Sequence, residues 1–370
     1  MASAAPLWDR RRPMSIHPSG RPWCIVALCL ALLAPGGYTR RHGDVVRADP
    51  PPEGPQVEAA RLMARSLERI GGLRHARGLP IDRAVDPNET GLIGEEFTPL
   101  TTSLGDVEAK RTSANPAFAA AAVNYFLGAG LTKGDVVAVG ASGSFPGLLL
   151  ATLCASRALD LEPVVIYSIG ASMYGANIPG FTFVDMLEGL RAGGLLPYRL
   201  AAVSAGGDRD RGTGVLFDEE GAALRAETGR SGLPVVEAAT LDGNIKRRMQ
   251  IYREAAAGRP IRCFVNVGGA SASFGDTPAS LTVPNGLVLA VPDPPRAPTR
   301  GVLFEFAARG IPVVHLLHVR GLARDNGLPF DPVPFPPVGE GRVYGRTAPA
   351  ARAGHTIDNA GLDARQGRDR

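Results

Sequence analysis

The sequence has few cysteines, no basic cluster in its centre and no long hydrophobic run, and each shortage removes a class of function. Only four of its 370 residues are cysteine. Cys24 and Cys29 lie in the apolar N-terminal run, Cys154 in an expected helix and Cys263 in an expected strand, and none has the spacing of metal ligands. They read as small buried hydrophobes rather than a disulfide framework. The net charge of +4 is no nucleic-acid signature either. Residues 1–47 carry seven arginines against two acids and residues 341–370 six against three, so the ends hold +8 and the middle is left at −4. A mildly acidic body, without aromatics interleaved among Lys and Arg, offers no phosphate-binding face and argues against nucleic acid as a partner. The chain also lacks a stretch of the roughly 20 apolar residues that spans a bilayer comfortably. Its N-terminal run, Trp23–Ala34, has twelve.

What is present starts with that run. Arg10, Arg11, Arg12 and Arg21 precede it and Pro35-Gly36-Gly37 breaks it, which is the layout of an export signal. No A-x-A cleavage site follows, so the expected topology is a single-pass signal anchor in the cell membrane. The arginines then hold the N-terminus in the cytoplasm and the domain lies outside. The alternative is cleavage, giving a secreted or periplasmic protein. The expected organisation is a basic region at 1–22, the signal anchor or signal peptide at 23–38, a proline-rich linker at 39–55, one α/β domain at 56–340 and a disordered, dispensable tail at 341–370.

With 45% hydrophobic residues the central region can bury a large core, and its glycines and prolines punctuate apolar runs. An amphipathic entry helix is expected near 56–72, followed by a long irregular stretch at 79–116. From there helices and strands alternate. Strands are expected at 135–139, 163–168, 200–204, 235–236, 262–267, 287–291 and 313–317, and helices at 116–129, 146–158, 181–192, 218–228, 242–257 and 300–309. Near-continuous apolar strands between amphipathic helices predict a mostly parallel, Rossmann-like α/β sheet with helices on both faces, preceded by the N-terminal membrane segment.

Three expected strands end in small-residue turns, at Gly140–Gly147, Gly170–Asn177 and Gly268–Gly275, and a fourth turn, Ser204–Arg211, is charged. Right-handed crossovers gather such turns at the carboxyl edge of the sheet, where open α/β folds bind ligands. Glycine permits close backbone approach, and the N–H groups at a helix start favour an anion. Gly140, Ser142, Gly143, Ser144, Ser172, Tyr174, Asn177, Asp208 and Ser271 are therefore candidate ligand contacts. Lys110 and Arg111, just before the helix at Pro116, are candidate cations for a carboxylate or phosphate. The competing reading of the serines is helix capping and tight packing, and that of the charges in 79–116 is a solvated face.

A nucleophile elbow requires G-x-S-x-G, and Gly140-Ala-Ser142-Gly-Ser144 has serine in place of the last glycine. If a nucleophile is present, Ser142 or Ser144 is the candidate, with His318 as base. His315 and His318 form H-x-x-H on a strand, which sends the rings to opposite faces and gives no metal pair. No metal or cofactor is expected.

Three strings have a further meaning: Asp86–Pro116 (DPNETGLIGEEFTPLTTSLGDVEAKRTSANP), Gly140–Gly147 (GASGSFPG) and Gly170–Asn177 (GASMYGAN). Together they make the chain resemble the poly-gamma-glutamate system protein family, over about residues 57–320. Members of that family accompany the ligase and membrane subunits that make poly-gamma-glutamate and begin with one membrane segment. The resemblance implies an accessory role in synthesis or export of this anionic capsule-type polymer. Its partners would be the polymer or its precursor, the membrane synthase subunits, and the membrane itself through the N-terminal segment. It supplies a pathway and not a mechanism. A binder of an anionic glutamyl or phosphorylated ligand is the leading expectation. A serine-type hydrolase or transferase acting on gamma-glutamyl amides is the alternative, and a non-binding scaffold of the synthase complex the third.

Overall fold

A computed structural model describes residues 53–216, 221–296 and 300–345. The expected anchor, the basic region before it and most of the linker lie outside the described residues, as do Cys24 and Cys29. Among the described residues, no helix is long and apolar enough to cross a membrane.

The chain opens with α1 (Pro55–Ala76), started by a proline whose missing N–H costs nothing in a first turn. The stretch at 79–116, expected to be irregular, contains two elements: β1 (Thr101–Ser103) and α2 (Val107–Ser113). Asp106 caps α2, its carboxylate accepting from the N–H groups of Glu108 and Ala109 at 2.9 and 3.4 Å. Then follow α3 (Ala117–Gly128), β2 (Val136–Ser142), α4 (Pro146–Ala158), β3 (Glu162–Ser168), the short β4 (Ala171–Ser172), α5 (Phe183–Ala192) and β5 (Leu200–Ser204). The second half adds α6 (Ala222–Arg230), α7 (Leu241–Ala255), β6 (Ile261–Val267), α8 (Ser271–Phe274), a 3-10 turn at Pro278–Thr282, β7 (Gly286–Val288), α9 (Gly301–Ala307), β8 (Val313–Leu316) and α10 (Val319–Asn326).

The main sheet has the order β5-β3-β2-β6-β8-β7, parallel except for β7, which pairs antiparallel with β8 at the edge. The expected strand at 235–236 is reduced to a single bridge between Val203 and Val235. All seven residues of β2 are buried, because helices cover both faces. Val137, Val139 and Ala141 point into the layer of α1, α3, α4 and α5, while Val136 and Ala138 point into that of α7 and α9. Each of these valines contributes about 1.5–3 kcal/mol of burial free energy, and each alanine less. The alanine run of α3 lets α1 and α4 approach it closely, and α3 is apolar almost all round. On the other face Phe264 stacks on Phe306 with ring centroids 4.9 Å apart.

The packed body extends past the expected boundary at 340. Val343 and Tyr344 are buried in the core, and Asn124 of α3 donates to the Val343 carbonyl at 2.8 Å. Residues 341–345 are therefore part of the fold and not of a dispensable tail; 346–370 lie outside the described residues. Cys154 and Cys263 are buried free thiols.

Strand order decides where a ligand can enter. From β2 the chain winds to β3 and β5 on one side, then returns to β6 and β8 on the other. The turns after β2 and β6 diverge there and leave a crevice at the carboxyl edge. A second, two-stranded parallel sheet, β1 with β4, lies beside it and pairs Thr101 with Ala171 and Ser103 with Ser172. That small ladder holds α2 against the turn after β3.

Candidate functional site

A cavity of about 570 Å³ fills the crevice. Its walls are the β1–α2 segment, the turns after β2 and β3, the loop after β5 and the turn after β6. A larger cleft of about 1000 Å³ lies beside Glu53, Arg61 and Asp160, at the opposite, amino-terminal end of the strands. It contains none of the glycine-serine turns, so the smaller cavity is the candidate site.

Lys110, Ser142, Ser144, Ser172, Asp208 and Ser271 all line the cavity. Lys110 is buried, with 2% of its surface exposed, so it is not part of a solvated charged face. Its Nζ donates to the Ser144 carbonyl, lies 2.5 Å from Ser172 Oγ and sits 3.9 Å above the centroid of the Phe145 ring. Burial brings its pKa down to about 7, against a smaller upward pull from the Asp106 carboxylate. The lysine is thus poised between ammonium and free amine near neutral pH.

The serines divide by their partners. Ser142 Oγ accepts weakly from the Ser144 N–H at 3.4 Å, and Ser144 Oγ accepts from the Ser172 N–H at 3.1 Å. Two cavity serines have hydroxyls against a basic side chain, Ser172 against the Lys110 amine and Ser168 against the Arg248 guanidinium. Gly105 leaves the Ser172 hydroxyl uncovered, since a Cβ there would sit 3.3 Å from it. Ser271 Oγ donates to the Gly207 carbonyl at 3.3 Å and ties the turn after β6 to the loop after β5. The N–H groups of Gly206, Gly207, Gly269 and Ala270, all cavity residues, donate to no partner among the described residues.

Other expected contacts are committed elsewhere. The Arg111 guanidinium faces away from the cavity and pairs with Asp331, its Nε at 2.7 Å from one carboxylate oxygen. Gly140 is a strand residue whose Cβ would meet Phe264 and Ser273 at 3.1–3.2 Å. Gly143 is required by close packing, because a Cβ would stand 2.8 Å from both Ala171 Cβ and the Ile169 carbonyl. The start of α4, expected to face an anion, abuts α2 instead: a Cβ on Gly147 would lie 2.4 Å from the Ser113 carbonyl. Tyr174 does not line the cavity, and its backbone pairs with Glu95 and Gly94. Asn177 is buried and spends its amide on the Glu95 backbone and Thr101 Oγ1, pinning the 90s segment to the turn after β3.

The two histidines separate, but not as residues of one strand: β8 ends at Leu316, so His315 lies in it and His318 stands past its end as the residue before α10. His315 is buried in β8 with its Nδ1 3.1 Å from Asn266 Nδ2, and burial lowers its pKa to about 4. His318 is exposed at the start of α10, outside the cavity lining, so it has no contact with Ser142 or Ser144. Among the described residues, no group of three His, Cys, Asp or Glu is placed to hold a metal.

Beneath the cavity floor lies a buried polar network that sequence reading missed. Ser168, at the end of β3, receives a hydrogen bond from Arg248 at 3.0 Å. Arg248 also donates to Ser204 Oγ at 2.6 Å and to Asp210 at 2.8 Å, and Ser204 donates to Asp210 at 2.6 Å. Both side chains of the Arg248–Asp210 pair are 2% exposed or less. One arginine in the run Lys246-Arg247-Arg248 gives no hint of such a partner. Asp106 could have been found: Asp followed by Val-Glu-Ala ahead of Pro116 is a helix-start signal.

Fold and cavity together define a doubly wound α/β protein with a crevice at the switch point, walled by glycine-serine turns and flanked by a buried lysine. Comparison with protein-family models, curated proteins and solved structures finds no match for this chain.

Proposed function

We propose that this chain is an accessory protein of a poly-gamma-glutamate system that takes a glutamyl chain end or phosphorylated precursor into the 570 Å³ cavity. In this reading residues 23–38 hold it in the membrane and the domain lies outside. The observation that carries the reading is a convergence. The three strings that resemble the poly-gamma-glutamate system proteins are the segments that supply Lys110, Ser142, Ser144 and Ser172 to one cavity.

The lining suits a zwitterionic chain end better than a bare polyanion. Arg111 is neutralised by Asp331, and burial lowers the pKa of Lys110 to about 7, so side-chain positive charge is limited. Acceptors for an ammonium are present in Asp106 and Asp208, and the unpaired N–H groups of Gly206, Gly207, Gly269 and Ala270 are donors for a carboxylate. The amino end of a gamma-glutamyl chain carries both groups. Calorimetry with short gamma-glutamyl oligomers, glutamate, phosphate and sulfate tests this. Oligomers should bind at sub-millimolar concentration, and Asp208→Asn should weaken them about tenfold, the equivalent of roughly 1.4 kcal/mol. Absence of binding by all four at millimolar concentration sinks the reading.

A further inference from the structure

We propose that Ser172 and Lys110 form a nucleophile–base pair, so that the cavity carries out acyl transfer on an amide or ester carbonyl. This rests on the cavity being the ligand site but not on the identity of the ligand. Three independent features point to it. The hydroxyl and the amine are in hydrogen-bond contact at 2.5 Å, on elements brought together from positions 62 residues apart. Both groups line a cavity open to a small molecule, with Gly105 leaving the hydroxyl accessible. The amine is shielded from water by Phe145 and buried, and a lysine titrating near 7 is matched to a base working near neutral pH.

A structural lysine would be expected to find a carboxylate when buried this deeply, because an unpaired ammonium is costly to desolvate. Lys110 has none among its hydrogen-bond partners; they are a carbonyl and a hydroxyl. Nζ donates to both, and once it has given up a proton it can keep the Ser144 carbonyl on one N–H while its lone pair faces the Ser172 hydroxyl.

The chemistry closes on itself. As Ser172 Oγ bonds to the carbonyl carbon, its proton passes to Lys110 Nζ and the carbonyl π electrons move onto oxygen. The unpartnered N–H groups of the cavity, at Gly206, Gly207, Gly269 and Ala270, are the donors on hand for that oxyanion. Collapse breaks the bond to the leaving amine or alkoxide, which takes the proton from the Lys110 ammonium. Water or a second amine then attacks the acyl-serine, giving its proton to Lys110, and Ser172 Oγ regains that proton as the acyl group departs. If the ligand is a glutamyl chain, water gives hydrolysis of a gamma-glutamyl amide and an amine gives its transfer.

The test treats the domain-containing full chain with a fluorophosphonate and maps the adduct by tandem mass spectrometry. The adduct is expected on Ser172, with a labelling rate that rises with pH and levels off above about 7. Lys110→Met, checked for folding by circular dichroism, should slow labelling a hundredfold or more. An adduct on Ser142 or Ser144, no adduct, or undiminished labelling of folded Lys110→Met overturns the proposal. Should Lys110→Met fail to fold, the adduct position and the wild-type pH profile decide. Calorimetry separates the two readings. Oligomer binding without an adduct leaves the binding protein and removes the acyl-transfer pair; a Ser172 adduct without oligomer binding does the reverse.

Discussion

The burial of Lys110 makes a prediction about stability that needs no substrate. In the unfolded chain its amine titrates near 10.5; in the fold it titrates near 7. Between these values the unfolded state binds a proton that the folded state does not. Stability contributed by this group therefore rises with pH from about 7 to about 10.5 and is flat below 7. The slope approaches about 1.4 kcal/mol per pH unit inside the window. Lys110→Met keeps an unbranched apolar stem, one atom shorter, but has no proton to lose, so its stability lacks this slope. Cys154, Cys263, Tyr167 and Tyr252 have pKa values raised by burial and oppose the trend at higher pH. They are common to both proteins, so the difference between wild type and variant cancels them.

The assay is urea unfolding of both proteins at pH 6, 7, 8 and 9 and constant ionic strength. The stability of wild type relative to Lys110→Met should hold constant from pH 6 to 7, then grow by about 2–3 kcal/mol by pH 9. At pH 6 the variant should be the less penalised of the two, since it buries no ammonium. It does leave the Ser144 carbonyl without its donor, at about 1–3 kcal/mol. That loss is the same at every pH and leaves the slope untouched. A difference that stays flat from pH 6 to 9 refutes the reasoning: Lys110 would then keep an ordinary pKa and be no base at neutral pH.

Two further perturbations test how the site is supported. Gly147→Ala drives a methyl group toward the Ser113 carbonyl at the α2–α4 contact and should cost about 1–3 kcal/mol, read as a lower melting temperature; an unchanged melting temperature would mean that α2 is not seated there as described. Arg248→Met leaves the Asp210 carboxylate buried without its cation and should cost about 3–5 kcal/mol in urea unfolding, whereas Arg248→Met with Asp210→Asn should recover part of it; additive losses in that double-mutant cycle would deny the pair its coupling.

Much of the architecture was legible in the residues. The near-continuous apolar runs at 136–142 and 261–267 can be satisfied only in a sheet covered on both faces, and the expected helices between them are there. Convergence of the Gly140, Gly170 and Gly268 turns follows from right-handed crossovers between parallel strands, which place every such turn at one edge. Local signals carry this information because hydrophobic period and turn chemistry act over a few residues. The same signals could not distinguish a glycine that admits a ligand from one that admits its own chain. Gly143 and Gly147 are of the second kind, facing Ala171 and Ser113.

The pairing of Lys110 with Ser172 was decided by tertiary structure alone. It depends on the β1–β4 ladder, which docks a segment with no marked period beside the turn after β3, and on the amide of Asn177 that pins it. Adjacent residues then meet opposite fates. Lys110 and Arg111 carry the same charge, but successive residues on a helix point about 100° apart. One is desolvated against Phe145 and holds its proton less tightly, while the other reaches Asp331, 220 positions away, and holds its proton more tightly. The sequence by itself determined that a basic pair stands ahead of a helix near a glycine-serine edge. Which of the two is buried in the cavity wall was settled by packing, because desolvation is a property of the surrounding fold and not of the residue.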